Sequence, residues 1–392
     1  MGLAREAVSS EVVAAAEALA PHIRAARDAI ERERRLPADL VRAMSHAGLF
    51  RLYLPQSMGG PACDPLTAFR AIEALSAVEG AVGWVAMISS VLALFVSRVS
   101  TEAAIEMFGD PADFRMAGSV RPEGETCAIA GGYRVRGRWN FASGVEHATW
   151  LFCTCKVLGE DGPQRTPAGL PVTRVLLVPK SQVRVIDTWA VVGMRGTGSH
   201  DFVVDDVFVP EQRAFALLDP VAESNILYHP RLIMVNSGVA TAATAIGLAR
   251  GAITAFCCLA ADTASTMSTT PLRDRALVQT RLAEAEAIVS GARAYIMSAV
   301  GDAMEAVASG AEDPSRAIAQ ARLALTHGMH EAVRATTLVF HTAGTNAVYE
   351  KNPLERYFRD AHVAVQHVVG RPENIEDAGK ALLGLRPESM GW

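Results

Sequence analysis

His367 is one candidate for proton chemistry, because an imidazole gains or loses a proton near neutral pH. It follows Asp360 by seven residues, or two helical turns, and a helix predicted from Pro353 to about Val368 places both on one side. There the ring could deprotonate a phenol or an amine, or orient it. The alternative is a structural histidine that the helix dipole stabilises beside Gly370.

Three hydroxyl side chains lie in glycine-rich stretches and could act on a bound group. Ser143 precedes Gly144, whereas Thr197 and Ser199 lie within 193–199, where glycine occurs three times. A serine at a strand end commonly satisfies a turn, and a Gly-x-Gly pattern alone commonly marks one. Taken alone, these residues assign no reaction.

The six cysteines do not form a metal-binding pattern. The sequence contains no Cys-x-x-Cys pair and no cluster of cysteine with histidine, so we expect no metal site. Cys153 and Cys155 have the spacing of side chains on one face of a strand.

Composition and charge favour a cytoplasmic enzyme. Of 392 residues, 50% are hydrophobic and 20% charged, and the formal net charge is −5. Proteins that bind phosphate backbones are usually basic, so we expect no nucleic-acid partner. Residues 1–20 lack the apolar core of a signal peptide, and the apolar run 81–96 is shorter than the roughly 20 residues that span a bilayer. We therefore expect no membrane association.

The order of elements predicts an α+β fold with three domains. Apolar residues recur at helical spacing through the N-terminal region, assigned to 1–114, and a Gly-Asp-Pro break ends it. Short alternating strands between turns then predict a central β domain, barrel-like or a sandwich, over 115–227. Four long helices predict a C-terminal four-helix bundle over 228–392.

Three motifs in this order resemble the acyl-CoA dehydrogenase superfamily over nearly the whole chain. Residues 352–361 read Asn-Pro-Leu-Glu-Arg-Tyr-Phe-Arg-Asp-Ala, close to the family's Pro-x-Glu-Arg-x-x-Arg-Asp-Ala signature. Residues 193–199 stand before a Val-Phe-Val-Pro strand, and residues 247–252 read Gly-Leu-Ala-Arg-Gly-Ala. The resemblance implies the family's layout of a helical domain, a β domain and a helical bundle.

The departures from this family concern the reaction. Its dehydrogenases remove an α-proton with a glutamate, found either eight residues after the motif's aspartate or about ten before the second glycine landmark. Those positions here are Val368 and Ser237, and neither side chain serves as that base. The dehydrogenases' FAD-binding Arg-x-x-Phe-Gly segment would fall at 268–272 if Gln279 is its companion glutamine, and that segment reads Ser-Thr-Thr-Pro-Leu. This favours a smaller or exchangeable flavin.

The remaining motif is similar to the flavin-dependent monooxygenase branch of the superfamily, which includes phenol hydroxylases, sulfur-heterocycle monooxygenases and amino-sugar N-oxygenases. Residues 131–144 match that branch's Gly-Gly-Tyr … Gly-x-Trp-x-Phe-x-Ser-Gly pattern. The resemblance implies that Phe141 packs against the isoalloxazine ring and that Ser143 lies near flavin N5. It also implies cofactor contacts from Trp139, Thr197 and Ser199.

The same resemblance implies where the substrate binds. His367 would lie near the reactive face of the flavin, as a catalytic and substrate-contacting residue beside the catalytic Ser143. Trp84 follows a glycine as in many relatives and would also contact substrate. A histidine that is frequent five to seven residues later in that branch is absent, because 89–91 read Ser-Ser-Val.

The resemblance implies the oxygenase component of a two-component flavin-dependent monooxygenase. It would take reduced FMN or FAD from a separate reductase, react with O2 through a C4a-hydroperoxide, and hydroxylate a phenolic or polycyclic aromatic small molecule. No Gly-x-Gly-x-x-Gly follows a strand, which agrees with reduction elsewhere. Relatives imply a homotetramer. Alternatives are oxidation of an amine, amino sugar or heteroatom, an acyl-CoA dehydrogenase with a relocated base, a DNA-associated flavoprotein, and a degenerate structural subunit.

Overall fold

Two helical regions flank a central sheet in the computed structural model, which describes residues 2–217, 219–221, 225–263 and 270–387. The first region contains α1 Gly2–Ala18, α2 Ala20–Glu33, α3 Ala38–His46, α4 Pro65–Val78, α5 Gly80–Val96 and α6 Thr101–Phe108. The second contains α7 Ile233–Asp262, α8 Ala276–Ala308, α9 Ser315–Ala343, α10 Pro353–Ala364 and α11 Glu373–Leu382. The predicted α+β class is therefore confirmed.

The central region is one eight-stranded sheet. Its strands are β1 Met116–Ile129, β2 Gly132–Trp139, β3 Trp150–Gly159, β4 Gly162–Pro163, β5 Thr173–Pro179, β6 Arg184–Ile186, β7 Asp201–Pro210 and β8 Ala214–Phe215. The order is β6-β7-β2-β1-β3-β5-β8, with β4 paired to β3, and only β1 and β3 pair in parallel among the described strands. The predicted central β domain is therefore confirmed, and its strands form one continuous sheet from β6 to β8.

The two faces of this sheet pack into different cores. Along β3, Trp150 and Phe152 join the large core that the helices share, whereas Leu151, Cys153 and Cys155 join a second core made from the sheet region alone. This alternation follows from the two-residue repeat of a strand. The sheet is therefore fixed against the helices by one face, which holds the loops at its edge in place.

The small-residue helix α7 passes through the middle of the helical core. A Cβ atom at Gly247 would lie 2.6 Å from the Glu73 carbonyl oxygen, and one at Gly251 would lie 2.5 Å from that of Ala77. Glycine at both positions lets α7 approach α4 backbone to backbone. Residues 233–261 are long and apolar enough to span a bilayer, but 67% of the most apolar window is buried inside the protein. Such burial is typical of a core helix.

Candidate active site

A chain of buried hydroxyl groups joins two loops that are distant in sequence. The Ser143 and Ser199 Oγ atoms are 2.6 Å apart, and Ser199 Oγ is 2.7 Å from Thr197 Oγ1. Thr197 Oγ1 donates in turn to the Met194 carbonyl oxygen at 2.8 Å. Trp84 Nε1 donates to Ser143 Oγ at 3.1 Å from α5. The structure thus brings together four of the residues that the sequence predicted for the site.

Backbone contacts position the Ser143 turn, which follows β2. The Gly144 amide donates to the Thr197 carbonyl oxygen at 2.8 Å, joining this turn to the 194–199 loop. Gly144 has φ +75°, and a Cβ atom there would lie 2.8 Å from Val85 Cγ1. Glycine therefore serves both the left-handed conformation and the close approach to α5.

Phe141 combines an exposed ring with an unusual backbone. Its φ is +58°, a conformation that costs a non-glycine residue roughly 1–2 kcal/mol, and the residue is 57% exposed. Its ring lies edge-on to Trp189 at 5.9 Å, and Trp189 Nε1 donates to the Met194 oxygen at 3.1 Å. An exposed aromatic ring held in this way, two residues from Ser143, offers a surface for a planar ligand.

His367 lies beyond the end of α10, and the prediction that it shares a helix with Asp360 is wrong. The helix ends at Ala364, and His367 is the N-cap of a short 3-10 turn. The chain then turns so tightly that a Cβ atom at Gly370 would lie 2.1 Å from the Val365 carbonyl oxygen, so the turn requires glycine there. This turn nevertheless brings the ring edge-to-face with Trp84, at 5.5 Å between centroids.

The surroundings of His367 favour a neutral ring that donates a hydrogen bond. Desolvation, and then the charge of Arg371, lowers the pKa of His367 to about 4, although the residue keeps some accessible surface. Nδ1 accepts a long hydrogen bond, 3.4 Å, from the Val369 amide. In a neutral ring the hydrogen then lies on Nε2, which makes that atom a donor and not a base. Of the two predicted roles, orienting a substrate fits better than deprotonating it.

Trp139, a predicted cofactor contact, lies elsewhere. It is 0% exposed within the core of the sheet, stacks on Phe202 at 5.0 Å between centroids, and donates from Nε1 to the Thr154 carbonyl oxygen at 2.9 Å. Its polar atom is satisfied and its ring is covered. We therefore leave Trp139 out of the flavin site and assign it to the core.

No carboxylate takes part in the contacts of this cluster. Within the described residues, the hydrogen bonds and ion pairs of Trp84, Ser143, Thr197, Ser199 and His367 involve only hydroxyl, indole and backbone partners. The positions of the dehydrogenase bases agree. Val368 cannot accept a proton, and the Ser237 hydroxyl donates to the Ile233 carbonyl oxygen. Two residues of the predicted flavin segment 268–272, Ser268 and Thr269, lie outside the described residues.

The half-buried face of α5 beside this cluster is apolar. Trp84, Ile88 and Val91 are spaced by four and three residues, so they follow one side of the helix, and each is partly exposed. Ser89 and Ser90, where relatives often carry a histidine, are occupied elsewhere. Ser89 accepts from the Met116 amide at 3.0 Å, and Ser90 donates to the Leu49 carbonyl oxygen at 3.3 Å. Neither hydroxyl replaces the missing imidazole.

A buried ion network, formed in part by the Arg-Asp motif, lies behind the cluster. Asp360 Oδ1 accepts from the Met194 amide at 2.5 Å, and Arg356 contacts Glu79 at 3.3 Å. Burial, and then the neighbouring Glu79, raises the pKa of Asp360 to about 8. The link from Asp360 through Met194 to the hydroxyl chain was not predicted, because it joins residues 166 positions apart.

The chain is similar to known proteins over most of its length. Residues 5–109 match the acyl-CoA dehydrogenase N-terminal domain, and residues 239–372 match the acyl-CoA dehydrogenase C-terminal domain. The chain is 32% identical over 385 residues to "Flavin-dependent monooxygenase, oxygenase subunit HsaA" of Mycobacterium tuberculosis, with 93% of each chain covered. It is 30% identical over 358 residues to indole-3-acetate monooxygenase of Pseudomonas putida, covering 91% of this chain and 90% of that one.

The chain belongs to the flavin-dependent monooxygenase branch of the acyl-CoA dehydrogenase superfamily. A solved structure, XiaF from Streptomyces in complex with FADH2 and glycerol, has a TM-score of 0.89 to this flavin-dependent monooxygenase, with 26% identity and 98% of both chains covered. The predicted superfamily, branch and use of reduced flavin are thereby confirmed. The residues present fit a flavin, because the exposed Phe141 ring adjoins a buried hydroxyl chain, and among the described residues no carboxylate hydrogen-bonds to that chain.

Proposed function

We propose that this monooxygenase is the oxygenase component of a two-component system that hydroxylates an apolar aromatic molecule. The observation that carries the proposal is the cluster of Ser143, Trp84 and a neutral His367, whose hydrogen bonds within the described part of the chain involve no carboxylate. When bound, reduced flavin supplies the electrons that activate O2. The chain's own residues then hold the flavin, exclude water and orient the substrate.

Each residue of the cluster has a separate task in this proposal. Phe141 covers one face of the flavin ring, and Ser143 accepts a hydrogen bond from its N5–H. Holding that hydrogen matters because its loss accompanies release of hydrogen peroxide instead of oxygen transfer. Trp84 fixes the Ser143 hydroxyl from α5, and its ring separates the hydroxyl chain from His367.

The substrate class follows from the α5 side chains that lie beside His367. Nε2–H can donate to one phenolic oxygen or ring nitrogen, and Trp84 offers an aromatic edge. Ile88 and Val91 extend the wall with hydrocarbon. We therefore expect a phenol or polycyclic aromatic whose single polar group meets His367. Indole-3-acetate monooxygenase, one of the relatives, acts by its name on an aromatic substrate.

The partners and setting belong to the same proposal. A separate reductase would supply reduced FMN or FAD, as the term oxygenase subunit implies for the HsaA relative. A homotetramer built through the C-terminal helices would follow the family layout. Six unpaired cysteines suit a reducing cytoplasm.

The test supplies reduced flavin and O2 to the purified protein together with a panel of phenols, indoles and polycyclic aromatics. Hydroxylated product with little free hydrogen peroxide supports the proposal. A parallel sample with oxidised FAD and acyl-CoAs provides the contrast, because bleaching of the flavin by a thioester, without product from the aromatics, would identify a dehydrogenase instead.

A further inference from the structure

The hydrogens of the hydroxyl chain can run in only one direction. The Met194 oxygen cannot donate, so Thr197 must give its hydroxyl hydrogen to that oxygen at 2.8 Å. Ser199 must then donate to Thr197 across 2.7 Å, because two oxygens that close need a hydrogen between them. By the same reasoning Ser143 must donate to Ser199 across 2.6 Å.

This direction leaves Ser143 as an acceptor. Its only hydrogen is committed to Ser199, and one of its lone pairs accepts from Trp84 Nε1 at 3.1 Å. One lone pair remains. Such an oxygen can accept from a ligand N–H but cannot donate to a ligand nitrogen that lacks hydrogen. All three hydroxyl residues are at most 5% exposed, so water does not readily reach them and reverse the direction of their hydrogen bonds.

We infer that Thr197 and Ser199 are positioning residues that hold the Ser143 hydroxyl as an acceptor and so select reduced over oxidised flavin. The inference rests on the proposed flavin site. Reduced flavin carries hydrogen at N5 and oxidised flavin does not, so only the reduced form completes the chain. The oxidised form would place two acceptors against each other, which favours its release to the reductase.

Further contacts hold the end of this chain in place. The Met194 oxygen also accepts from Trp189 Nε1 and the Thr197 amide, both at 3.1 Å, and every one of these partners is a donor. The Met194 amide is bound to Asp360. Met194 has φ +55°, so the peptide is held in a left-handed turn. The Met194 carbonyl oxygen, which ends the chain of hydroxyl groups, is therefore held in place by Trp189, by the Thr197 amide and by the bond of Asp360 to the Met194 amide.

The test compares the dissociation constants of oxidised and reduced FAD, measured anaerobically by fluorescence or calorimetry. In Thr197→Val, Ser199 loses its acceptor and is free to donate to Ser143, which can then donate to oxidised N5. We expect the ratio of the oxidised to the reduced constant to fall about tenfold. Ser199→Ala should lower the ratio similarly, because Ser143 then has no committed acceptor. Thr197→Ser keeps the hydroxyl and should retain the wild-type ratio.

The ratio of the two dissociation constants distinguishes a change in the direction of the hydrogen bonds from a general loss of flavin affinity. A structural role alone would weaken both forms equally and leave the ratio unchanged, and that result in folded Thr197→Val and Ser199→Ala would overturn the inference. A shift in Thr197→Ser as large as in Thr197→Val would also overturn it. If the wild-type protein binds neither form, the proposed function itself fails. If Thr197→Val does not fold, Ser199→Ala decides alone.

Discussion

At the scale of single residues, the site depends on which atoms donate and which accept. Ser143 and His367 illustrate this in opposite ways. Ser143 has its hydrogen committed to Ser199 and offers an oxygen lone pair, whereas the neutral ring of His367 offers Nε2–H. The proposed centre therefore presents an acceptor toward the cofactor and a donor toward the substrate.

Replacing Ser143 with Ala should uncouple oxygen consumption from hydroxylation. Loss of one hydrogen bond worth about 1–1.5 kcal/mol predicts a several-fold rise in hydrogen peroxide released per reduced flavin. Peroxide trapping measures this directly. Ser97→Ala is the control, because Ser97 is also buried and donates to the Leu94 carbonyl oxygen, away from the cluster. Equal peroxide from the wild type and Ser143→Ala would refute the role of this hydroxyl.

His367 should make the protein less stable as the pH falls from about 6.5 to about 4. The pKa of His367 is lowered to about 4, so over this interval the unfolded chain binds a proton that the folded chain excludes. His367→Gln should flatten the unfolding free energy there, measured by urea denaturation at several pH values. His147→Gln is the matched variant, because burial also lowers the pKa of His147 to about 4. It should flatten the unfolding free energy in the same way, but only His367→Gln should also reduce the amount of product. A steeper profile in His367→Gln would contradict this assignment.

At the scale of elements, glycine lets helices α4 and α7 approach each other closely. Apolar residues at helical spacing predicted the two helical regions, and the structure has helices such as Pro65–Val78 and Ser315–Ala343 in them. The end of α10 was misplaced. Nothing in the helical repeat reveals that Gly370 must pass against the Val365 carbonyl, which is a contact of the folded backbone.

Gly251→Ala and Gly301→Ala should change stability in opposite directions. A Cβ atom at Gly251 would lie 2.5 Å from the Ala77 carbonyl oxygen, so we expect a loss of roughly 1–3 kcal/mol from overpacking. Gly301 on α8 has no atom within 4 Å of such a Cβ, so alanine should add about 0.5–1 kcal/mol through helix propensity. Thermal and chemical denaturation test both. Stabilisation by Gly251→Ala would show that the α4–α7 contact is looser than described.

At the scale of the whole molecule, the sequence predicted the architecture better than it predicted the direction in which individual side chains point. Trp139 and Phe141 are two residues apart, and in a continuous strand both would face the same side. Instead β2 ends at Trp139, and the positive φ of Phe141 redirects the chain, so one ring enters the core while the other is exposed. The hydrogen bond from the Met194 amide to Asp360 could not be predicted from the sequence either, because only the folded chain brings those residues together.

The proposed homotetramer predicts a particle of four times the chain mass. Light scattering coupled to size exclusion at micromolar concentration measures this, and exposed apolar residues of the C-terminal region such as Leu277, Val348 and Tyr349 are available for burial between copies. Flavin-free and flavin-loaded samples should give the same mass if assembly does not depend on cofactor. A particle of single-chain mass in both samples would exclude the tetramer.

The anchor of the hydroxyl chain is a peptide oxygen, and this bears on how the protein can change through mutation. No substitution at position 194 deletes a backbone carbonyl, so a descendant sequence can exchange the methionine side chain and keep the same direction of the hydrogen bonds. What it must keep is the left-handed turn at φ +55°, for which asparagine or glycine is the easiest replacement.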